Sequence, residues 1–325
     1  MDTLPSAADI RSAALRIEGK AYKTPLLESP LLNERLGLRL LIKPETLQRT
    51  GSFKFRGAYN RISRIDKDMR EGGVVAYSSG NHAQGVAAAA HMLAMPSLIV
   101  MPTDSPEIKV INTRAYGAEI VFYDRFGENR EHIANTLVAQ RGATLVRPFD
   151  DPLIIAGQGT VGLEMAEQAR ALDATLDTVL CPCGGGGLVG GSALALASES
   201  PQTKVYGVEP DGFDDTARSL EAGKILRIEP GSTSFCDALL TPEPGVLTFK
   251  INARHLAGMF SVSDAAVGEA MRVAFSYLKL VVEPGGAVAL AALLSGTYDG
   301  RGKTVGIVLS GGNVDSDVFQ KALKT

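Results

Sequence analysis

Residues 178–192 read Thr178-Val-Leu-Cys-Pro-Cys-Gly-Gly-Gly-Gly-Leu-Val-Gly-Gly-Ser192. An apolar run of strand length feeds four consecutive glycines, and an apolar, Ala-rich segment of helical length follows. Four glycines in a row give up much backbone entropy on folding. The expected return is close approach of backbone N–H groups to an anion at the start of a helix, with a phosphate as the first candidate. No GK[ST] follows the glycines, so this is not a nucleotide P-loop. A dinucleotide fingerprint stays open only because Glu209 stands at the end of the next strand. A plain turn with tight helix packing is the third reading. Cys181 and Cys183 flank Pro182, and no second pair completes a four-ligand zinc site, so both are expected to pack at the strand end.

The same strand–turn–helix unit recurs on both sides. Strands are expected at 38–42, 74–77, 97–101, 119–122, 145–146, 178–181, 204–208 and 304–309. Helices are expected at 7–19, 54–65, 83–92, 108–116, 128–141, 162–172, 188–199, 264–278 and 286–294. Residues 209–263 read as a long irregular section. Short apolar strands alternating with helices predict an α/β fold with parallel-rich sheets flanked by helices.

The chain's 325 residues suit about two domains and a sizeable core without staples. A net charge of −3, with no basic stripe, argues against a nucleic-acid partner. No apolar run of spanning length occurs, so no membrane segment is expected. Three cysteines, an odd number, suit a reducing compartment, and the first residues lack the basic-then-apolar form of a secretory leader. A cytoplasmic protein is expected.

Lys54 lies in Thr50-Gly-Ser-Phe-Lys-Phe-Arg-Gly57. A lysine among apolar rings loses its charge more readily, because desolvation disfavours the ammonium. The neutral amine is a nucleophile that condenses with an aldehyde. From spacing alone, a lysine between two phenylalanines is most often a snorkelling surface group. The set SFKFRGA, SSGNHAQG, AGQGT, GGGG and LSGGN, in this order across residues 5–320, resembles the serine/threonine dehydratase and serine racemase family of fold-type II pyridoxal-phosphate enzymes.

That resemblance implies a two-lobed, tryptophan-synthase-β-like architecture. Its large cofactor-binding domain would comprise 1–72 and 148–325, with a small domain of 73–147 inserted. It implies that Lys54 holds pyridoxal 5′-phosphate covalently and that Gly184, Gly185, Gly186 and Gly187 cradle the phosphate. Phe53 would pack near the ring plane, Asn81 would meet the ring's 3-oxygen, and Ser310 would face the pyridine nitrogen. A serine there would not force protonation of that nitrogen, which suits loss of a β-substituent better than transamination. Ser79, Gly80, Asn81 and His82 would hold the substrate α-carboxylate. Ser79 matches the second proton carrier of the racemases, and His82 is expected to position rather than act as the main base.

The implied reaction is removal of water and then ammonia from L-threonine or L-serine, giving a 2-oxo acid. Alternatives are dehydration of 3-hydroxyaspartate, and a racemase with dehydratase side activity. Arg130 is a candidate clamp for an additional carboxylate, because its planar fork matches one bidentately. Thr241 is a candidate wall residue. Related enzymes bind a divalent cation through a glutamate, a main-chain carbonyl and an aspartate. The matching positions are Glu209, Phe213 and Asp215, and an all-oxygen set favours Mg²⁺ or Ca²⁺. The segment Glu283-Pro-Gly-Gly-Ala287 departs from the more common Pro-x-Ala-Gly form, which puts the backbone near the cofactor in question. The family expectation for assembly is a homodimer.

Overall fold

A computed structural model describes residues 3–125, 127–229 and 231–324. Ten strands are present among them: β1 (Leu27–Glu28), β2 (Arg39–Pro44), β3 (Val74–Tyr77), β4 (Ser97–Pro102), β5 (Glu119–Tyr123), β6 (Thr144–Leu145), β7 (Thr178–Pro182), β8 (Lys204–Pro210), β9 (Gly258–Val262) and β10 (Thr304–Leu309). They form two sheets, one in each lobe. The larger runs β1-β2-β10-β7-β8-β9 and is parallel except for β1, which pairs antiparallel with β2. The smaller runs β5-β4-β3-β6, all parallel, and uses only the chain between Val74 and Leu145.

Each sheet is covered on both faces, and the period of two shows it. Leu40, Ile42, Leu180, Ile307 and Leu309 share one apolar core with the helix Pro284–Leu294. Their neighbours Leu41, Val179, Cys181 and Val308 face the other way, towards the helices Pro152–Ala171 and Gly187–Glu199. In the small sheet Val74, Ala76, Ile99 and Met101 point to one core, while Val75, Tyr77, Leu98 and Val100 point to another. Strands buried on both faces have no reason to alternate polar residues, hence the continuous apolar runs in the sequence.

Two expectations are corrected by the structure. The helix expected at 162–172 starts ten residues earlier, at Pro152, capped by the Asp151 side chain. Its first half carries Gly157 and Gly159, which look like breakers. Added Cβ atoms there would sit 2.7 Å from the carbonyl oxygens of Arg56 and Gly191 respectively, so backbone contact with neighbouring helices requires the glycines. The section 209–263 is not irregular throughout. It holds the helices Asp215–Ala222 and Val246–His255 and the edge strand β9.

Among the described residues no helix is long and apolar enough to cross a membrane.

Candidate active site

The loops after β2, β3, β7 and β10 meet at the carboxyl ends of their strands, where open parallel sheets place ligands. They line a cleft of about 920 Å³, open mouth included. Phe53, Lys54, Ser79, Asn81, His82, Arg130, Gly184, Gly185, Gly186, Gly187, Thr241 and Ser310 all border it. Gly80, between Ser79 and Asn81, packs against the Lys109 side chain instead.

Lys54 opens the helix Lys54–Ile62. The loop before it is laid against the loop after β10: Ser52 bridges Gly311, Phe53 N–H donates to the Ser310 carbonyl, and Gly312 N–H donates to the Gly51 carbonyl. Thr50 takes a left-handed φ of 66°, uncommon for a threonine, within this docked segment. Lys54 Nζ donates to the Pro148 carbonyl at 2.8 Å and has no carboxylate in direct contact among the described residues. Burial lowers its pKa to about 8, against a smaller opposing pull from Glu283. At pH 7 about one such amine in ten is neutral, against roughly one in three thousand for an ordinary lysine.

The glycine turn ends in the helix Gly187–Glu199, whose first N–H groups carry no side-chain cap. Gly186 sits at φ 86°, and an added Cβ on Gly185 would lie 2.3 Å from the Phe149 ring. Bare backbone at the start of a 13-residue helix is an anion site. The helix Asn81–Met92 likewise begins without a side-chain cap, and its N-terminus borders the same cleft. The cleft therefore has two places for anionic groups and one amine of reduced basicity.

Asn81 is fixed by a chain of bonds. Asn313 Nδ2 donates to the Thr50 carbonyl and also to Asn81 Oδ1 at 2.9 Å. A carbonyl only accepts, so the Asn313 amide has one orientation, and that sets Asn81 in turn. Asn81 Nδ2 then donates to Glu283 Oε1, leaving one hydrogen for a further acceptor. Glu283 packs where Gly311 has no side chain; an added Cβ there would lie 2.0 Å from Glu283 Oε1. Gly286 lets the helix Pro284–Leu294 approach the Gly311 carbonyl, so the departure at 283–287 is accommodated by backbone contact.

His82 is buried, and Nε2 lies 3.0 Å from the Val146 carbonyl, which makes Nε2 the donor. Burial first, and the nearby Lys54 charge second, depress its pKa to about 3. It stays neutral with Nδ1 unprotonated. Ser310 borders the cleft with little exposure. Arg130 opens the helix Arg130–Arg141 and lies 5.2 Å above the Tyr77 ring, with no ion-pair partner among the described residues. Arg125, also at the cleft, is instead taken up by Asp104.

Two cleft residues, Lys109 and Asp237, carry no signal in the sequence. Lys109 is buried and bridges Asp237 at 2.5 Å and Glu283 at 2.8 Å. It comes from the small lobe, whereas both carboxylates belong to the large one, so this cluster ties the lobes across the cleft. Nothing local marks Lys109 or Asp237; only the fold brings them to Glu283. Cys181 and Cys183 are buried free thiols in the core beside β7, as expected, and burial pushes both pKa values up.

Away from the cleft floor, Glu209 and Asp215 are fully buried. Glu209 accepts from Thr216 N–H and Ala217 N–H, capping the helix Asp215–Ala222. Both oxygens of Asp215 lack a hydrogen-bond partner among the described residues, and burial raises the pKa of each carboxylate. Among the described residues no group of three or more His, Cys, Asp or Glu gathers at one point.

A family model described as pyridoxal-phosphate dependent enzyme matches residues 17–311. The chain is 47% identical over 321 residues to an L-threo-3-hydroxyaspartate ammonia-lyase of a Pseudomonas species, covering 99% of each. It is 39% identical over 316 residues to a serine racemase of Schizosaccharomyces pombe, covering 97% of this chain and 96% of that one. The solved serine racemase of maize superposes with a TM-score of 0.92 at 36% identity, over 99% of this chain and 98% of that one.

Proposed function

The chain belongs to the pyridoxal-phosphate dependent enzymes, and from that premise we propose that it is an ammonia-lyase whose preferred substrate is L-threo-3-hydroxyaspartate. It is a lyase of small hydroxy amino acids; the finer choice rests on Arg130, a guanidinium in the cleft with no carboxylate to pair with among the described residues. The likeness to the Pseudomonas ammonia-lyase supports the same choice.

The residues present fit the cofactor. The helix start at Gly187 suits a phosphate, Lys54 suits the aldehyde, and Asn81 keeps one amide hydrogen for the ring oxygen. Pyridoxal phosphate, when bound, draws electrons from the substrate α-carbon and so acidifies its proton. Lys54 Nζ takes that proton, and its reduced basicity suits the task at neutral pH. The uncapped first turn of Asn81–Met92 receives the α-carboxylate, with Ser79 and His82 beside it. Arg130 takes the second carboxylate, and Thr241 forms part of the cleft wall. With the β-hydroxyl lost, the freed enamine hydrolyses to a 2-oxo dicarboxylate and ammonia. Ser310, a neutral partner for the ring nitrogen, favours this elimination.

Ammonia release from L-threo-3-hydroxyaspartate, L-serine and L-threonine, followed alongside D-serine formation, tests the reading. The wild type is expected to favour hydroxyaspartate. Arg130→Met is expected to lower kcat/KM for hydroxyaspartate ~10- to 100-fold, a charge-assisted pair lost, and to change that for serine by only a few-fold. Equal losses on both substrates, or D-serine as the main product, would refute the assignment.

The pair Glu209 and Asp215, with the Phe213 carbonyl, suits a divalent cation, Mg²⁺ or Ca²⁺. An unpartnered buried carboxylate is costly unless a cation or a proton satisfies it, and Asp215 is one. Its role is structural, because these carboxylates do not border the cleft. Millimolar Mg²⁺ is expected to raise the melting temperature by a few degrees, and Asp215→Asn to abolish the rise. An unchanged melting temperature in both ions would remove the site.

A further inference from the structure

The helix Val246–His255 lies behind the glycine turn. Thr248 and Asn252, one helical turn apart, are fully buried on its inner face. An added Cβ on Gly186 would meet the Asn252 amide at 2.6 Å and the Thr248 side chain at 3.1 Å. Thr248 does not border the cleft, whereas Gly185 and Gly186 do.

A buried helical threonine ordinarily gives its hydroxyl proton to a carbonyl one turn back. Thr248 has such a neighbour, the Gly245 carbonyl, at 3.1 Å. The shorter contact leaves the helix: Oγ1 donates to the Gly185 carbonyl at 2.7 Å. The hydroxyl has one proton, so the shorter contact takes it. The Gly185–Gly186 peptide is trans, and in a trans peptide the C=O and the following N–H point in opposite directions. With the carbonyl held against Thr248, the Gly186 N–H points away from the helix Val246–His255.

We propose that Thr248 is a positioning residue that orients the Gly186 N–H towards the cofactor phosphate. A peptide between two glycines has no side chain to resist rotation, so its orientation must come from outside the turn. Turned the other way, the peptide would present its carbonyl oxygen to the phosphate. The helix carrying Thr248 is itself held in register with the cleft. Asp150 accepts from the backbone N–H groups of Val246, Leu247 and Thr248, and Pro148, two residues before it, accepts from Lys54 Nζ. One short segment thus fixes both the amine and the support of the phosphate turn.

The inference rests on the assignment of the glycine turn to a phosphate, and the test separates the two. Full-length chain stripped of cofactor is titrated with pyridoxal phosphate and with pyridoxal, read by absorbance and fluorescence. Wild type, Thr248→Val, Thr248→Ala and Thr248→Ser are compared. The expected result is that Val and Ala each weaken pyridoxal phosphate binding ~10-fold while pyridoxal binding is unchanged, and that Ser restores wild-type affinity. Thr248 loses its role if either donor-less variant keeps the wild-type ratio of the two affinities, or if both ligands weaken together. A wild type that does not distinguish pyridoxal phosphate from pyridoxal removes the phosphate cradle itself. Should Val fail to fold, the Ala and Ser pair decides.

Discussion

Lys54→Ala is expected to abolish the near-visible absorbance of the purified protein and to lower turnover by roughly 10⁴-fold or more. The size follows from two roles lost together, the nucleophile that holds the cofactor and the base that moves the Cα proton. The fold is expected to survive, because among the described residues the Lys54 side chain makes one hydrogen bond, to the Pro148 carbonyl, and no ion pair. Melting within a few degrees of wild type, with no ammonia released, is the predicted outcome. Retained turnover in a folded variant would assign the chemistry to another residue.

The second large effect is on stability. Arg56, two residues after Lys54, is fully buried. Its fork grips both oxygens of Glu45 at 2.8 Å and both of Glu164 at 2.6 and 2.9 Å. Lys43, also buried, donates to Glu164 at 2.7 Å and to the Thr24 carbonyl. Two cations and two carboxylates balance, and the cluster fastens the helix Lys54–Ile62 to Pro152–Ala171 and to the end of β2. Arg56→Met removes one cation and leaves a buried carboxylate unpaired, which costs about 3–5 kcal/mol. Chemical denaturation measures it, and a loss below about 1 kcal/mol would show that the cluster is dispensable.

The pH dependence has a definite sign. Burial alone would raise the Glu45 pKa, but Arg56, with help from Lys43, more than offsets it and holds it below the ordinary value. In the wild type, stability from Glu45 is therefore present above the unfolded pKa and is lost only as the pH falls through the lower folded one. Without Arg56 the burial effect wins and the folded pKa rises above the unfolded one. Protonation then relieves the variant, so its deficit is expected to shrink as the pH falls from above the raised folded pKa towards the unfolded one.

The sequence shows the strands at 74–77, 97–101 and 178–181 plainly, because strands buried on both faces spell continuous apolar runs. The glycine turn and the five ordered motifs locate the cleft and the residues that border it. The helix Val246–His255 is hidden because its inner face carries Thr248 and Asn252, polar residues that blur the helical period. The first half of Pro152–Ala171 is hidden because its glycines, needed for helix–helix contact, look like breakers. Arg56 stands out only as part of a motif, and Lys109 not at all. Buried charges identify themselves through partners distant in the chain, and no local pattern records those partners.

The central claim is that the Lys54 amine meets the cofactor aldehyde in the cleft floored by the glycine turn. Borohydride reduction of the holoenzyme, followed by digestion and mass mapping of the pyridoxyl group, tests it most directly. The account predicts a single modified peptide containing Lys54. A pyridoxyl group on Lys109 or any other lysine, or none at all, would contradict it.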